Sequence, residues 1–254
     1  MTTSFTDIER STPVNLRDLG GIHIAGGVLR RGLAIRADDL SIVTDAAARE
    51  LVESGLAAVI DLRTAEEVAI TGRGPLASYA VAYHHLPLMA SVAASMSKDA
   101  PVLDHETMGG MYLDMVEHAA PQLVAALNVI AYAPGATAFH CAAGRDRTGV
   151  LAASLLLVLG ASDDDIVADY ARTGPNMPAI MERTRASMGA LLARLGFDFD
   201  AVSVGALVDS PMDVSMRILL SGLRSQGTDP LAPLRAAGLS DDTVARLRAR
   251  ALAS

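Results

Sequence analysis

The tightest constraint on the fold of this chain is the stretch His140-Cys141-Ala142-Ala143-Gly144-Arg145-Asp146-Arg147-Thr148-Gly149, which holds the only cysteine. It lies between a short apolar run, Ala136 to Phe139, that reads as a strand, and an apolar run from 148 to 159 with helical spacing. The preceding pattern extends the same grammar. Ala57 to Leu62 and Val81 to Leu88 read as strands, with helices between and after them, from Thr44 to Gly55, from Thr64, and over 106 to 132 with a division near Pro121. Strand, helix, strand, helix, strand argues an α/β fold, a central mostly parallel sheet flanked by helices.

Thr44 and Thr64 stand where N-caps belong, and Glu67, three residues after Thr64, completes a capping box. Residues 13 to 36 alternate short β-like pieces with glycine pairs and read as a sheet edge of hairpins. Beyond 148 the pattern is helical: 148 to 159, a segment capped by Ser162, then 177 to 195, 211 to 225 and 240 to 253. The expected organisation is a flexible arm over 1–12 and one domain over 13–254. Within it, 89–118 forms an insertion that could serve as a lid, since its first part has no strand or charge pattern.

Composition removes several functions. Aromatics are 4% of the chain and tryptophan is absent, so stacking on nucleobases is disfavoured. The net charge of −8 argues against a nucleic-acid partner. No run is long enough to span a bilayer, and the start, MTTSFTDIER, lacks a signal-peptide pattern. A cytoplasmic protein is expected, with export independent of a signal peptide left open; the sequence does not set an oligomeric state. One cysteine excludes internal disulfides and thiolate zinc clusters. His84 and His85 are adjacent on a strand and face opposite ways, so no metal is expected there.

Each element of the 140–149 stretch has a physical use. A loop of five residues between Cys141 and Arg147 can curl its N–H groups around a tetrahedral anion, and the following helix adds its positive end. Those dipoles and Arg147 favour the thiolate, the nucleophilic form of cysteine. Arg147 offers a planar fork to phosphoryl oxygens, and Gly144 admits close approach or unusual torsions. Ala142, Ala143, Gly144, Arg145, Asp146 and Arg147 form the expected phosphate cradle. His140 is expected to orient the loop, Thr148 to donate to the sulfur, and Arg36 and Asp61 to pair and brace it.

The stretch resembles the His-Cys-x5-Arg signature of the protein tyrosine phosphatase superfamily. Asn15 to Gly21, Arg36-Ala37-Asp38, Val59 to Arg63 with Glu66-Glu67, and Asp146 make the chain similar to the bacterial tyrosine/serine phosphatase family over most of 13–253. The resemblance implies a cofactor-free, metal-free phosphatase working through a phosphocysteine intermediate. Its substrates would be phosphotyrosine, and in some members phosphoserine or phosphoinositides, on a phosphorylated protein, peptide or small molecule. It also implies Asp146 as general acid beside Cys141 and Arg147; Asp61 or an acid from 89–105 is the alternative. Arg145 stands where lipid-active members carry lysine. A phosphatase for a small phosphorylated metabolite and an inactive phosphate-binding module are the competing functions. A reductase cycle would need a resolving thiol that this chain lacks.

Overall fold

A computed structural model describes residues 8–92, 104–196, 211–227 and 229–252. The central sheet has the order β1-β4-β7-β5-β6. Its strands are β1 (Arg17–Asp18), β4 (Ala34–Ala37), β5 (Leu56–Asp61), β6 (Ala82–His85) and β7 (Ala136–His140). All neighbours pair in parallel except β1, which runs antiparallel along β4. The three inner strands are almost wholly buried, as a parallel sheet covered on both faces requires.

Alternate residues of the inner strands feed two cores. Ala34, Ile60 and Phe139 face a large cluster built on α3 (His105–His118), α4 (Ala120–Tyr132), α5 (Asp146–Leu159) and the C-terminal helices. Ile35, Val59 and Ala138 face a smaller one closed by α1 (Asp45–Glu53), with Leu40, Leu76 and Val81. The C-terminal half is helical as expected: α6 (Asp163–Ala171), α7 (Met177–Leu195), α8 (Asp213–Ser225), α9 (Ala232–Ala236) and α10 (Asp241–Leu252). No described helix is long and apolar enough to cross a membrane. Thr44, Thr64 and Ser162 cap their helices as read from the sequence, and Thr64 with Glu67 forms a true capping box at the start of α2 (Ala65–Thr71).

Two expectations change. Only β2 (His23–Ile24) and β3 (Gly27–Val28) form a separate hairpin, whereas β4 lies inside the main sheet beside β7. The glycine pattern around 20–32 hid this, because a short buried strand reads like a hairpin arm. Of the segment 89–118, residues 93–103 lie outside those described. His105–His118 is a helix of the core, with Met108, Tyr112 and Met115 buried and Met111 packed against them. Gly109 on α3 and Gly222 on α8 explain how closely it sits: a Cβ at Gly109 would lie 2.6 Å from Ile218, and one at Gly222 2.4 Å from Leu113.

A buried clamp ties the sheet edge to α6. Asp169 binds Arg17 Nε at 2.9 Å from β1 and Arg36 Nη1 at 2.5 Å from β4. The expected pairing of Arg36 with Asp61 is therefore corrected: Arg36 takes Asp169, and Asp61 takes Arg63, two residues along its own chain. Nearby, Asp18 accepts from the backbone N–H groups of Gly20 and Gly32 and fixes the turn. Removing one partner from a buried pair strands the other charge. Asp169→Ala is expected to cost about 3–5 kcal/mol, read as a lower urea midpoint; a loss near zero would show that the clamp carries no load.

Candidate active site

The loop after β7 sits at the carboxyl end of an inner strand, where open α/β sheets place their ligand sites. Its shape follows from where its carbonyl groups go. Ala142 O accepts from Asp39 N at 3.0 Å, Ala143 O from Asn15 Nδ2 at 3.4 Å, and Gly144 O from both Asn15 Nδ2 at 3.2 Å and Arg36 Nη2 at 2.9 Å. All of these donors belong to the segments before α1. With the carbonyls taken by this scaffold and no side chain capping α5, the N–H side of the loop is left for an anion.

Gly144 has φ of +66°, and a Cβ there would lie 2.4 Å from the carbonyl oxygen of Ala37. Only glycine fits both the torsion and the approach. Asn15 is positioned in turn by Asp38, whose carboxylate accepts from Asn15 N at 3.0 Å and from Arg183 Nη1 at 2.8 Å. The Asn-Leu-Arg-Asp and Arg-Ala-Asp motifs thus form one bracket around the loop.

Cys141 is buried at the mouth of β7. Arg147 carries its charge close enough to interact with the sulfur and is gripped by Glu67 through two bonds, Nη1 to Oε2 at 2.5 Å and Nη2 to Oε1 at 2.9 Å. Burial works against the Arg147 charge, but Glu67 more than restores it and holds the guanidinium well above its ordinary pKa. Glu67 also accepts from Thr64 N at 2.7 Å, so one carboxylate both caps α2 and holds Arg147.

His140 Nδ1 lies 3.3 Å from the backbone N–H of Leu40 and 3.2 Å from the carbonyl oxygen of Cys141, and its Nε2 lies 3.7 Å from Asp61 Oδ2. Burial pushes the Asp61 carboxyl up, but His140 and Arg63 outweigh it and bring it well below the carboxylate range. Asp61 is thus held as the anion between Arg63 and the Tyr83 hydroxyl. This favours a bracing role over that of acid.

Asp146 opens α5 with a partly exposed carboxyl, 3.3 Å from Arg145 Nε. The Tyr112 hydroxyl donates to its Oδ1 in a short bond. Thr148 Oγ1 and Arg145 Nη2 are buried with no hydrogen-bond partner, so the bond expected from Thr148 to the sulfur is not formed in this state.

The sequence reading missed Glu67 as the partner of Arg147, and with it Asp169, Tyr112 and Tyr170. Glu67 was visible as a helix cap, but a capping box says nothing about what lies across the fold. The two tyrosines carried no spacing signal.

These features agree with the comparisons. A model of the tyrosine phosphatase family matches residues 8–253. This chain belongs to the tyrosine phosphatase family. Among curated relatives, a tyrosine-protein phosphatase of Nostoc commune is 33% identical over 138 residues, 54% of this chain and 47% of that protein, so the match spans about half of the relative. A putative tyrosine-protein phosphatase of Cupriavidus necator is 29% identical over 225 residues, covering 85% of this chain and 80% of the relative. The triple specificity protein phosphatase PtpB of Mycobacterium tuberculosis is 30% identical over 199 residues, covering 66% and 70%. As a member of the family the chain is a protein-tyrosine-phosphatase-like hydrolase of phosphorylated substrates.

The buried carboxylates of this phosphatase make it acid-sensitive. Burial alone would raise Asp169 and Glu67, but Arg36 and Arg17 in one case and Arg147 in the other outweigh it and lower both. Depressed carboxylates contribute stability in full above their unfolded range, near about pH 4, and lose it as the pH falls through the lower folded values. Denaturant midpoints are expected to hold down to about pH 5 and to fall steeply below about pH 4. A midpoint flat through the acid range would contradict this account.

Proposed function

We propose that the chain hydrolyses phosphomonoesters, phosphotyrosine foremost, through a phosphocysteine intermediate on Cys141. The observation that carries the reading is the outward tethering of the loop carbonyls, together with Arg147 gripped beside the only thiol. A phosphoryl dianion entering the loop meets N–H groups, the positive end of α5 and the guanidinium N–H groups that Glu67 leaves free. The substrate class follows the names of the relatives, two tyrosine-protein phosphatases and one triple specificity protein phosphatase.

The Cys141 thiolate attacks phosphorus as the bond to the leaving oxygen breaks, and Asp146 gives that oxygen its proton. Water then attacks the cysteinyl phosphate and passes a proton to the Asp146 carboxylate, releasing inorganic phosphate and restoring the thiolate. Arg147 stabilises the equatorial oxygens in both steps, and its fork needs no reorganisation because Glu67 fixes it beforehand. Arg36, Asn15 and Asp61 act on the loop rather than on substrate. Thr148 Oγ1, buried without a partner, is free to donate to the sulfur as it leaves phosphorus. No step calls for a metal or a cofactor.

Cys141→Ser is expected to abolish turnover of p-nitrophenyl phosphate while leaving the melting temperature near that of the parent. Turnover by the serine protein, or a requirement for a divalent metal, would overturn the mechanism. Tight phosphate binding by the parent without turnover would instead mark a binding module. Asp146→Asn is expected to slow an alkyl phosphate by about 10²-fold or more and p-nitrophenyl phosphate by far less, because a phenolate that leaves readily needs little protonation. Equal losses on the two substrates would remove Asp146 as the acid.

A further inference from the structure

Two buried tyrosines from outside the loop meet at Asp146. Tyr112 comes from α3 and Tyr170 from α6, and their hydroxyl oxygens are 2.8 Å apart. Tyr112 donates to Asp146 Oδ1, and Arg145 Nε donates to the Tyr170 hydroxyl at 3.5 Å. Each hydroxyl has one proton to give. Since the proton of Tyr112 is spent on Asp146, Tyr170 must donate to Tyr112, and its own oxygen is then free to accept from Arg145. The bonds therefore run in one direction, from Arg145 through Tyr170 and Tyr112 to Asp146. The chain begins on a cation and ends on a carboxyl oxygen.

Resting on the assignment of Asp146 as general acid, the geometry points to Tyr112 as a positioning residue that occupies Asp146 Oδ1 and so confines the transferable proton to Oδ2. A carboxylic acid can carry its proton on either oxygen. A donor fixed on one of them excludes the proton from it, because two O–H groups cannot both donate into the same contact. Tyr112 does not replace Asp146 as the proton source: it is fully buried, and burial and the neighbouring Asp146 hold its hydroxyl well above the ordinary tyrosine value.

The packing around Tyr112 suits a fixed hydroxyl. Gly109 and Leu113 bracket it along α3, and both lie at the close contact with α8 described above. Tyr170 is seated in the same way, since a Cβ at Gly149 would lie 3.0 Å from its ring. The two rings meet edge to face with centroids 6.1 Å apart, a favourable geometry for aromatic pairs. The glycines thus allow the helices that carry and face the two rings to pack closely.

The test compares Tyr112→Phe, Asp146→Asn and the double variant on p-nitrophenyl phosphate and on an alkyl phosphate such as a phosphoserine peptide. Tyr112→Phe is expected to lower kcat on the alkyl substrate about tenfold, with a clearly smaller loss on p-nitrophenyl phosphate and KM for both within about twofold. In the Asp146→Asn background the same change is expected to add less than about twofold, since groups acting through one residue are not additive. Tyr170→Phe, which keeps the bond from Tyr112 to Asp146, is expected to show the same selectivity at smaller size. Equal losses on both substrates, or losses that multiply in the double variant, would reduce Tyr112 to a packing residue. If Tyr112→Phe fails to fold, the Tyr170→Phe selectivity decides the matter in the same terms. An Asp146→Asn protein without leaving-group selectivity would overturn the assignment of the acid instead.

Discussion

The destination of three carbonyl groups governs the rest of this structure. Every peptide unit carries a donor and an acceptor, and sending Ala142, Ala143 and Gly144 oxygens outward to Asp39, Asn15 and Arg36 decides that the loop cannot spend its acceptors internally. The donors that hold them are themselves held. Arg36 rests on Asp169, Asn15 on Asp38, and Asp38 on Arg183 from α7. The proposed anion site is therefore the inner layer of a bracket that reaches β1, β4, α6 and α7. An acidic protein presents a cationic pocket here because its carboxylates are placed one layer back, behind the arginines.

All but one of the basic residues are arginine, and the bracket shows what that supplies. Arg63 uses its fork on Asp61 Oδ1 and Oδ2 at 2.9 and 2.6 Å and still reaches Ser41, Thr71 and the Gly72 carbonyl. Arg147 engages both oxygens of Glu67 in the same way. A lysine offers a point charge that turns freely on its stem, and could not hold two acceptors at fixed positions.

Much of this was readable beforehand. The strand and helix order, the caps at Thr44, Thr64 and Ser162, and the loop itself follow from local periodicity and side-chain chemistry, which act over a few residues. Pairings across the fold were not readable. Arg36 lies 133 positions from Asp169 and Glu67 lies 80 from Arg147, and no local pattern specifies which carboxylate an arginine will meet once the sheet has formed. The Arg36–Asp61 pairing was wrong for that reason: the motifs were correctly linked to the loop, but sequence gives no register between β4 and α6. Residues 105–118 failed as part of a lid for a related cause. The helical pattern from 106 onward is local and legible, but nothing in it says that α8, from the far end of the chain, covers that helix and makes it part of the core.

The capping carboxylate of α2 has a dynamic consequence. Glu67 closes the first turn of a seven-residue helix through Oε2 and grips Arg147 with both oxygens of the same carboxylate. A helix of that length has little stability of its own and would ordinarily fray from its end. Here fraying releases the arginine, so the opening of α2 and the loss of the anion site are one event with one free energy. A fluctuation that elsewhere would be confined to a helix end here also loosens the hold on Arg147. A ligand that engages Arg147 in its gripped position would in turn slow amide hydrogen exchange along α2, without touching that helix.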